Sequence, residues 1–407
     1  MEQGGRVREL LTVEQYQADL AALVGADVRT EDVPLTAAGG RVLAVAAHAA
    51  TSLPPFDNSS MDGYAVRFAD VATVPVALAV VGESRAGDRE APDAGPGECV
   101  RIMTGAPLPG WADAVVPVED TDEGPDRVEV RVAPTGPGAF VRRAGEDVGP
   151  GALVADAGAT LTGGLIGALA AAGIDPVAVR PRPVVALCAT GDELAAPGAE
   201  LAYGQIHDAN TPALAARLAQ AGAEVVAAEP VGDDPRALTL WLDAVAPSSA
   251  LIVLTGGASV GAYDVVRDVL QGAGGTFRHV RVQPGKPQGW ARWRGTPVVA
   301  LPGNPVSAAL SCELFVRPLL DRILGRPEPP WFTAVAAVGW SSPVGRRQLV
   351  PVRLVGGPDG RLLATPAHPR GSASHLVTAL AHADGYVAVP EDATAVAPGD
   401  LLPLRLL

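Results

Sequence analysis

The hydrophobic pattern divides the first 180 residues into helical and β-like stretches. Apolar side chains recur every three or four positions from Val13 to Val24, which is the spacing of one face of a helix. From Thr51 to about Asp147 the chain changes to short apolar runs broken by Gly and Pro, typical of a small antiparallel β domain. These runs are Val74–Val81, Cys99–Met103, Ala114–Val118 and Val128–Val132. A strand-like segment and an apolar helix from Leu161 to Ala172 follow them.

Residues 181–325 show a regular alternation of strand and helix patterns. The predicted strands are Val184–Ala189, Glu224–Ala228, Leu251–Leu254 and Val298–Leu301, and the predicted helices are Thr211–Gln220, Pro235–Val245, Val265–Leu270 and Pro305–Leu324. This order implies right-handed βαβ crossovers, and therefore a doubly wound, mostly parallel sheet covered on both faces. After Gly325 the pattern changes to short strands with Gly-Pro turns, which predict a small β-barrel or sandwich. These strands are Thr333–Val338, Leu349–Leu354, Tyr386–Val389 and Leu401–Leu406.

The patterns together predict a multidomain α/β and β protein. Helical pieces flank the β-rich stretch, so we expect a discontinuous helical or linker domain of residues 1–47 and 148–180 around it. The other predicted domains are a β-rich inserted domain (48–147), a central α/β domain (181–325) and a C-terminal β domain (326–407).

Composition narrows the class of protein. The 407 residues are 48% hydrophobic and 19% charged, which excludes wholesale disorder. The formal net charge of −14 argues against nucleic-acid binding, which needs a surplus of Lys and Arg. No run of about 18 apolar residues occurs and the N-terminus has no apolar signal core, so we expect a cytoplasmic protein that binds no membrane. The three cysteines are widely separated and predict neither a disulfide frame nor a cysteine zinc site.

Four loops with polar or glycine-rich sequences follow the predicted strands of the α/β domain. They contain Thr190-Gly191-Asp192-Glu193, Gly232-Asp233-Asp234, Gly256–Asp264 and Pro302–Ser307. Ligands of open parallel sheets bind at the carboxyl ends of the strands, so these loops should converge on one edge. The glycine-rich loops precede helices and would let backbone N–H groups approach an anion. In the last loop Asn304 suits an N-cap and Pro305 the first helical position. Taken singly, each loop is as well explained by a purely structural role.

Carboxylates are unusually frequent in these loops. Four carboxylates, those of Asp192, Glu193, Asp233 and Asp264, would repel one another and an anionic ligand unless a hard cation such as Mg²⁺ lay among them. Alternatively, Asp192 caps the turn that follows it and Asp234 caps the helix at Pro235. We therefore take Glu193, Asp233 and Asp264 as the metal or catalytic candidates.

Lys286 is the only lysine among 31 basic residues. In a chain that uses Arg wherever a basic residue suffices, a lysine suggests a compact point charge for a phosphate or oxyanion. The six histidines show no metal-ligand spacing, and His207 is expected in a surface loop. Two further polar segments, Phe56–Ala65 and Arg101–Pro109, lie outside the α/β domain. They can join its rim only by folding over it or from another subunit.

Taken together, these motifs resemble the molybdopterin molybdenumtransferase family, which includes the E domain of gephyrin. The matching segments, in family order over nearly the whole chain, are Phe56–Ala65, Arg101–Pro109, Ala112–Val116, Arg142–Asp147, Thr190–Leu194, Asp208–Asn210, Gly232–Pro235, Gly256–Asp264, Pro284–Pro287 and Leu301–Ser307. The resemblance implies an elongated homodimer with an active site completed across the interface. It implies insertion of molybdenum from molybdate into adenylylated molybdopterin, with Mg²⁺-dependent release of AMP. It also suggests transient contact with molybdopterin adenylyltransferase and apo-molybdoenzymes.

The resemblance also assigns roles by position. Glu193, Asp233 and Asp264 would be the site carboxylates and metal ligands, and Lys286 would act with them in catalysis. Asp62, Thr104 and Asp147 would come from the partner subunit. Weaker assignments near the molybdate are Ser259, Ser374 and Arg346 or Arg347. The remaining substrate-binding candidates lie in the strand-end loops and are Thr190, Gly191, Gly256, Gly257, Gly261, Pro302, Gly303, Asn304, Pro305 and Ser307.

Three positions depart from the family pattern. Members often carry Lys where this chain has His279 and Gln283, and Arg where it has Pro351, and Arg278 and Arg281 are candidates to compensate. These changes bear on the oxyanion contacts more than on the fold, and therefore on the affinity for the oxyanion or the choice between molybdate and tungstate. Two other functions stay open: adenylylation of molybdopterin on the same α/β fold, against which the domains at 51–147 and 326–407 argue, and a non-catalytic scaffold or assembly protein.

Overall fold

The computed structural model describes residues 10–27, 29–256 and 264–407. Glu31–Val179 forms one compact unit, and the described residues on either side of it form a second. The α-helices of the described residues are α1 Val13–Ala21, α2 Phe68–Val71, α3 Gly163–Ala171, α4 Asn210–Gln220, α5 Pro235–Val245, α6 Val265–Gly272, α7 Pro305–Ser311, α8 Arg317–Leu324 and α9 Thr378–Ala381. No helix in this part of the chain has both the length and the apolar character that a membrane span needs.

The unit Glu31–Val179 is rich in short strands. They are β1 Glu31–Val33, β2 Ala47–His48, β3 Asn58–Ser59, β4 Gly63–Val66, β5 Val76–Ser84, β6 Glu98–Ile102, β7 Ala114–Pro117, β8 Arg127–Val130, β9 Val141–Arg142, β10 Leu153–Ala155 and β11 Val177–Val179. Five of them form a sheet in the order β7-β4-β6-β5-β8. Its β5 and β6 run parallel, so the sheet is mixed where the sequence pattern predicted an antiparallel domain. The long connection at residues 85–97 allows the crossover that a parallel pair requires.

The two ends of this unit pack together. Strand β1 pairs with β11 and β2 with β10, and Leu43, Leu161 and Leu169 are buried in the core between them. Helix α1 does not belong to this group, although the sequence pattern placed residues 1–47 with 148–180. Its Tyr16 and Leu20 are buried in the core of the other unit, because the apolar face of α1 packs against that unit's sheet and helices.

The strands of the second unit run from β12 to β27. They are β12 Val184–Ala189, β13 Leu194–Ala195, β14 Ile206–His207, β15 Glu224–Ala227, β16 Leu251–Thr255, β17 Thr276–His279, β18 Val282–Gln283, β19 Pro287–Trp293, β20 Thr296–Leu301, β21 Phe332–Ala336, β22 Trp340–Ser341, β23 Arg347–Gly356, β24 Leu362–Pro366, β25 Gly385–Val389, β26 Ala395–Val396 and β27 Leu401–Leu406. Two six-stranded sheets dominate this unit.

The central sheet has the order β15-β12-β16-β20-β19-β17. Its first four strands are parallel, and β19 pairs antiparallel with both β20 and β17. Successive residues of β12 point to opposite faces: Val185 and Leu187 enter one apolar core and Ala186 and Cys188 the other. Helices α1, α4, α7 and α8 supply the first core and α5 and α6 the second. This confirms the predicted doubly wound, mostly parallel α/β fold.

The predicted helix at 305–324 is divided into three parts. Between α7 and α8 the residues Cys312–Val316 form a π-helical turn, and α8 ends at Gly325 with a positive φ of 65°. In the C-terminal domain β23, β24, β21, β27 and β25 pair in a closed ring. Closure removes the exposed sheet edges, and it makes this domain the small barrel that the sequence predicted.

Candidate functional site

The strand-end loops of the central sheet line one cleft of about 900 Å³. Its position at the carboxyl ends of parallel strands is where open α/β sheets bind ligands. Among the candidates predicted from the sequence, those that line it are Thr190, Gly191, Glu193, Asp233, Gly256, Asp264, Lys286, Pro302, Gly303, Asn304, Pro305, Ser307, Arg346 and Ser374. The loops therefore converge as predicted.

A buried asparagine holds two of these loops together. Asn210, the first residue of α4, donates from Nδ2 to Thr255 Oγ1 at 2.9 Å and to the Gly303 carbonyl oxygen at 2.6 Å. The hydroxyl of Thr255 in turn donates to the Pro302 carbonyl oxygen at 3.1 Å. These three hydrogen bonds connect the end of β16 with the loop that follows β20.

Gly256 allows the loops to approach closely. Its φ is +95°, and a Cβ there would overlap the carbonyl oxygen of Thr190 and lie within 2.9 Å of the Thr190 hydroxyl. A Cβ on Gly303 would in turn lie 3.4 Å from the Gly256 Cα. Any side chain at position 256 would therefore separate the loops that follow β12 and β16.

The carboxylates of Glu193, Asp233 and Asp264 are here called the acidic group, and those of Glu193 and Asp264 each lie within electrostatic reach of Asp233. Burial raises the pKa of Asp233, and the charges of Asp192 and Glu193 raise it further. Burial also raises the pKa of Asp264 to about 6, with a smaller contribution from Asp233. Asp264 is only 5% exposed. Ionising Asp233 or Asp264 in this part of the cleft therefore costs free energy.

Several aspartates also have local structural partners. Asp234 caps α5 by accepting from the Arg236 N–H, as the sequence suggested. Asp192 does not cap its own turn, since its Oδ1 accepts from the Asp233 N–H at 2.9 Å. Asp264 caps α6 by accepting from the Arg267 N–H at 3.2 Å. Asp264 is therefore both a helix cap and a residue of the cleft.

The acidic group is not a closed metal cage. Among the described residues, no three His, Cys, Asp or Glu side chains come close enough to hold a metal ion together. Mg²⁺ usually keeps several waters and takes one or two carboxylates together with substrate phosphates. The oxygen donors and mutual repulsion of the acidic group fit Mg²⁺ bound in that partial manner.

Lys286 follows a tight turn at the edge of the cleft. Gly285 has a φ of +99°, which only glycine adopts without strain. The Lys286 carbonyl accepts from the Val280 N–H at 2.8 Å, and the side chain is half-buried. Lys286 has no ion-pair partner within the described ranges. Its ammonium is the one lysine charge available to a ligand.

The structure distinguishes the two candidate arginines. Arg346 lines the cleft and donates from Nη1 to Gln283 Oε1 at 2.8 Å. Arg347 instead forms an ion pair with Glu14 of α1 at 2.6 Å, and it does not line the cleft. Arg347 is the first residue of β23 and Arg346 precedes the strand, so the two neighbours have different partners.

Ser374 also belongs to the cleft. Its Oγ accepts from Asn304 Nδ2 at 3.0 Å, and its carbonyl accepts from the Val306 N–H. Asn304 occupies the N-cap position of α7 as predicted, but its side chain makes no capping bond. We call Lys286, Arg346 and Ser374 the oxyanion group.

The remaining candidates lie elsewhere. Gly257, Ser259 and Gly261 are outside the described residues. Asp62, Thr104 and Asp147 belong to the unit Glu31–Val179. There Asp62 Oδ1 accepts from both the N–H and the hydroxyl of Thr104 at 2.7 Å, and these bonds lower the pKa of Asp62. Asp147 is exposed.

Several cleft residues were not among the predicted site residues, although Asp208–Asn210 was a matching segment; they are His207, Asp208, Asn210, Gln283, Ser372 and His375. Asp208 is 3% exposed, and its Oδ1 accepts from the Asn210 and Thr211 N–H groups at the start of α4, one residue before the N-cap position Ala209. The rarity of asparagine, with three in the chain, was the signal for Asn210. Neither Arg278 nor Arg281 lines the cleft, and Arg346 is the arginine that contacts Gln283.

Comparison with protein families assigns nearly the whole chain. The MoeA N-terminal region (domain I and II) matches residues 11–173. A probable molybdopterin binding domain matches residues 186–322, and the MoeA C-terminal region (domain IV) matches residues 333–407.

Individual relatives agree with this assignment. Molybdopterin molybdenumtransferase 2 of Mycobacterium tuberculosis is 42% identical over 404 residues, covering 96% of this chain and 98% of the relative. Molybdopterin molybdenumtransferase of Haemophilus influenzae is 30% identical, covering 97% and 98%. The solved molybdopterin biosynthesis MoeA protein of Pyrococcus horikoshii superposes with a TM-score of 0.83 at 25% identity, covering 98% of this chain and 100% of that one. The chain belongs to the molybdopterin molybdenumtransferase (MoeA) family, transferases of molybdenum cofactor biosynthesis.

Proposed function

We propose that this chain inserts molybdenum from molybdate into adenylylated molybdopterin and releases AMP. Its family membership supports the reaction class. The single observation that carries the assignment to a site is that the acidic group and the oxyanion group line the same cleft. A phosphoanhydride substrate with a metal oxyanion as co-substrate requires both kinds of side chain at once.

The oxyanion group suits molybdate. Lys286 supplies a compact charge, Arg346 a planar guanidinium already oriented by Gln283, and Ser374 a hydroxyl. Holding the dianion beside the pterin sulfurs makes the transfer effectively intramolecular. Two molybdenum–sulfur bonds form while one molybdenum–oxygen bond breaks, and the two thiol protons leave with that oxygen as water. Hydrolysis of the phosphoanhydride consumes one water and releases AMP.

Glu193, Asp233 and Asp264 would hold Mg²⁺. When bound, Mg²⁺ would neutralise charge on the phosphoanhydride as AMP leaves. The protein's own part is to orient these carboxylates. Asp192 holds the backbone of Asp233 by accepting from its N–H, and the helix cap holds the carboxylate of Asp264.

A second copy of the chain would complete the site. The family implies an elongated homodimer in which Asp62, Thr104 and Asp147 of one subunit reach the cleft of the other. The paired hydrogen bonds from Thr104 to Asp62 support this, because they keep an exposed carboxylate ionised and fixed in orientation. Transient docking of molybdopterin adenylyltransferase and apo-molybdoenzymes would supply the substrate and accept the product.

The protein is proposed to act in the cytoplasm. Its three cysteines are free and buried, which suits a reducing compartment.

The discriminating assay measures AMP release from adenylylated molybdopterin. We expect release that depends on both Mg²⁺ and molybdate. Consumption of ATP to adenylylate molybdopterin would instead support the adenylyltransferase alternative. No turnover by an intact dimer would support the scaffold alternative.

Subunit mixing tests the shared site. Asp62→Asn and Asp264→Asn dimers should each be inactive. If each site combines Asp264 of one subunit with Asp62 of the other, a mixed dimer keeps one intact site and random exchange restores about a quarter of wild-type activity. If each site lies within one subunit, mixing restores nothing.

A further inference from the structure

A fully buried amide lies beneath the turn that carries Lys286. Gln288 of β19 is 0% exposed. Its Nε2 donates to the Gly285 carbonyl oxygen at 2.7 Å and to Ser311 Oγ at 2.7 Å. Ser311 is itself 2% exposed and is the last residue of α7. The amide therefore connects the turn to a helix that begins in the neighbouring cleft loop.

The orientation of this amide is determined by its partners. A carbonyl oxygen only accepts, so the NH₂ group and not the oxygen of Gln288 must face Gly285. The space around the turn is also closed, because a Cβ on Gly285 would lie 2.7 Å from Ser311 Oγ and 3.4 Å from Gln288 Nε2. The turn consequently has one position relative to α7.

This arrangement leaves Gln288 Oε1 buried without a hydrogen-bond partner. A buried unsatisfied polar atom is costly, and this cost offsets part of the stability that the two Nε2 hydrogen bonds contribute. An amide in this position is therefore poorly explained by stability alone. What it provides, and methionine would not, is a fixed Gly285 carbonyl directly before Lys286.

We propose that Gln288, supported by Ser311, is a positioning residue that fixes the Lys286 ammonium at the oxyanion group. This rests on the proposed function of Lys286 in binding molybdate. Gln288 acts through the turn and not by contact with the substrate, since it does not line the cleft. Its loss should therefore affect the dependence on molybdate and leave the fold intact.

The test compares Gln288→Met with the wild type in the AMP-release assay. We expect the KM for molybdate to rise roughly 10- to 100-fold, the size of effect that small misplacement of a binding group produces. The thermal midpoint should fall only modestly, because the two hydrogen bonds from Nε2 are lost while the unsatisfied Oε1 is removed. A wild-type KM for molybdate in a folded Gln288→Met protein would overturn the proposal.

A double-mutant cycle separates positioning from a general structural effect. In a Lys286→Ala background, Gln288→Met should change the molybdate KM little further, because the group it positions is gone. If Gln288→Met raises the molybdate KM by the same factor in both backgrounds, the two residues act independently and the proposal is overturned. A wild-type molybdate KM in Lys286→Ala alone would instead refute the proposed function of the lysine.

Gln17→Met is the matched control. Gln17 of α1 also donates from Nε2 to a backbone carbonyl, that of Leu314 at 2.9 Å, and it does not line the cleft. Its molybdate KM should match the wild type, and a rise equal to that of Gln288→Met would overturn the proposal. If Gln288→Met does not fold, Ser311→Ala decides the question. It should raise the molybdate KM in the same direction by a smaller factor, and an unchanged KM would count against the proposal.

Discussion

Asp264 combines two demands that oppose each other. As the N-cap of α6 it needs an acceptor oxygen, and as part of the acidic group it needs a charge, although it is only 5% exposed. Burial raises its pKa from 3.8 to about 6. Asparagine keeps the cap acceptor and removes the charge.

Asp264→Asn should therefore separate function from stability. We expect AMP release to slow by orders of magnitude. Between about pH 4 and pH 6 the folded wild type binds a proton that the unfolded chain does not, so its stability falls as the pH rises through this range. The variant has no carboxylate at position 264, so it should not lose this stability. The difference between its urea midpoint and that of the wild type, measured in EDTA, should therefore increase from pH 4.5 to pH 7.

A pH-independent difference between the two midpoints would show that Asp264 keeps an ordinary pKa. Turnover at the wild-type rate would remove Asp264 from the site, whatever the stability data.

The two adjacent arginines at the start of β23 provide a second residue-level comparison. Arg346→Gln should raise the KM for molybdate at least about tenfold, since charge-assisted hydrogen bonds contribute roughly 1.5–3 kcal/mol. Arg347→Gln should leave that KM unchanged and lower the unfolding free energy by about 0–1 kcal/mol, because its ion pair with Glu14 is partly exposed. Steady-state kinetics on both variants would measure this, and equal KM changes would contradict the placement of the two side chains.

At the scale of elements, the cleft depends on how its loops are connected. The Asn210 amide donates two hydrogen bonds. One of its acceptors is the Gly303 carbonyl oxygen, which cannot act as a donor. Asn304 also donates through its amide, but to the Ser374 hydroxyl. A hydroxyl can donate as well as accept, so we expect a carboxylate to be tolerated at position 304 and not at position 210.

Asn210→Asp should lower the unfolding free energy by about 2–3 kcal/mol, because it sets a carboxylate against a buried carbonyl oxygen. Asn304→Asp should stay within about 0.5 kcal/mol of the wild type, since the Ser374 hydroxyl can turn and donate to it. Urea unfolding at neutral pH measures both. Equal losses in the two variants would show that the Asn210 amide does not connect the loops as described.

Elements with a strong periodic pattern were predictable from the sequence. Strand β12 and helix α5 begin and end at the predicted residues, because β12 is a continuous apolar run and α5 has an aspartate cap followed by proline at its start. Strands β17 and β19 were not predicted. They carry Arg, Gln, Gly and Trp residues at an antiparallel edge, where burial imposes no simple alternation.

The candidate site was predictable to the same extent. The convergence of the four loops follows from strand order alone, so Glu193, Asp233, Asp264 and Lys286 could be grouped from the sequence. The choice between Arg346 and Arg347 depends on their contacts with Gln283 and Glu14, which are distant in the sequence. The support of Lys286 by Gln288 depends on a contact with α7. Neither is a property of local sequence.

At the scale of the whole molecule, each cysteine lies in a different apolar core. Cys99 is buried in the β-rich unit, Cys188 on one face of the central sheet and Cys312 on the other. Burial raises the pKa of Cys99 to about 12 and that of Cys188 to about 11, and it also raises the pKa of Cys312. At pH 8 the native thiols are therefore protonated as well as inaccessible.

Thiol labelling along a urea series at pH 8 should follow the opening of each core. In the native protein we expect no rapid labelling at any of the three cysteines. Cys188 and Cys312 should become reactive at one common urea concentration, because the same sheet separates their cores and neither core can persist without it. Cys99 reports the β-rich unit and should show a midpoint set by that unit. Peptide mass spectrometry after quenched alkylation resolves the three sites. Different midpoints for Cys188 and Cys312 would mean that the helices on one face of the sheet unfold while the other face stays packed.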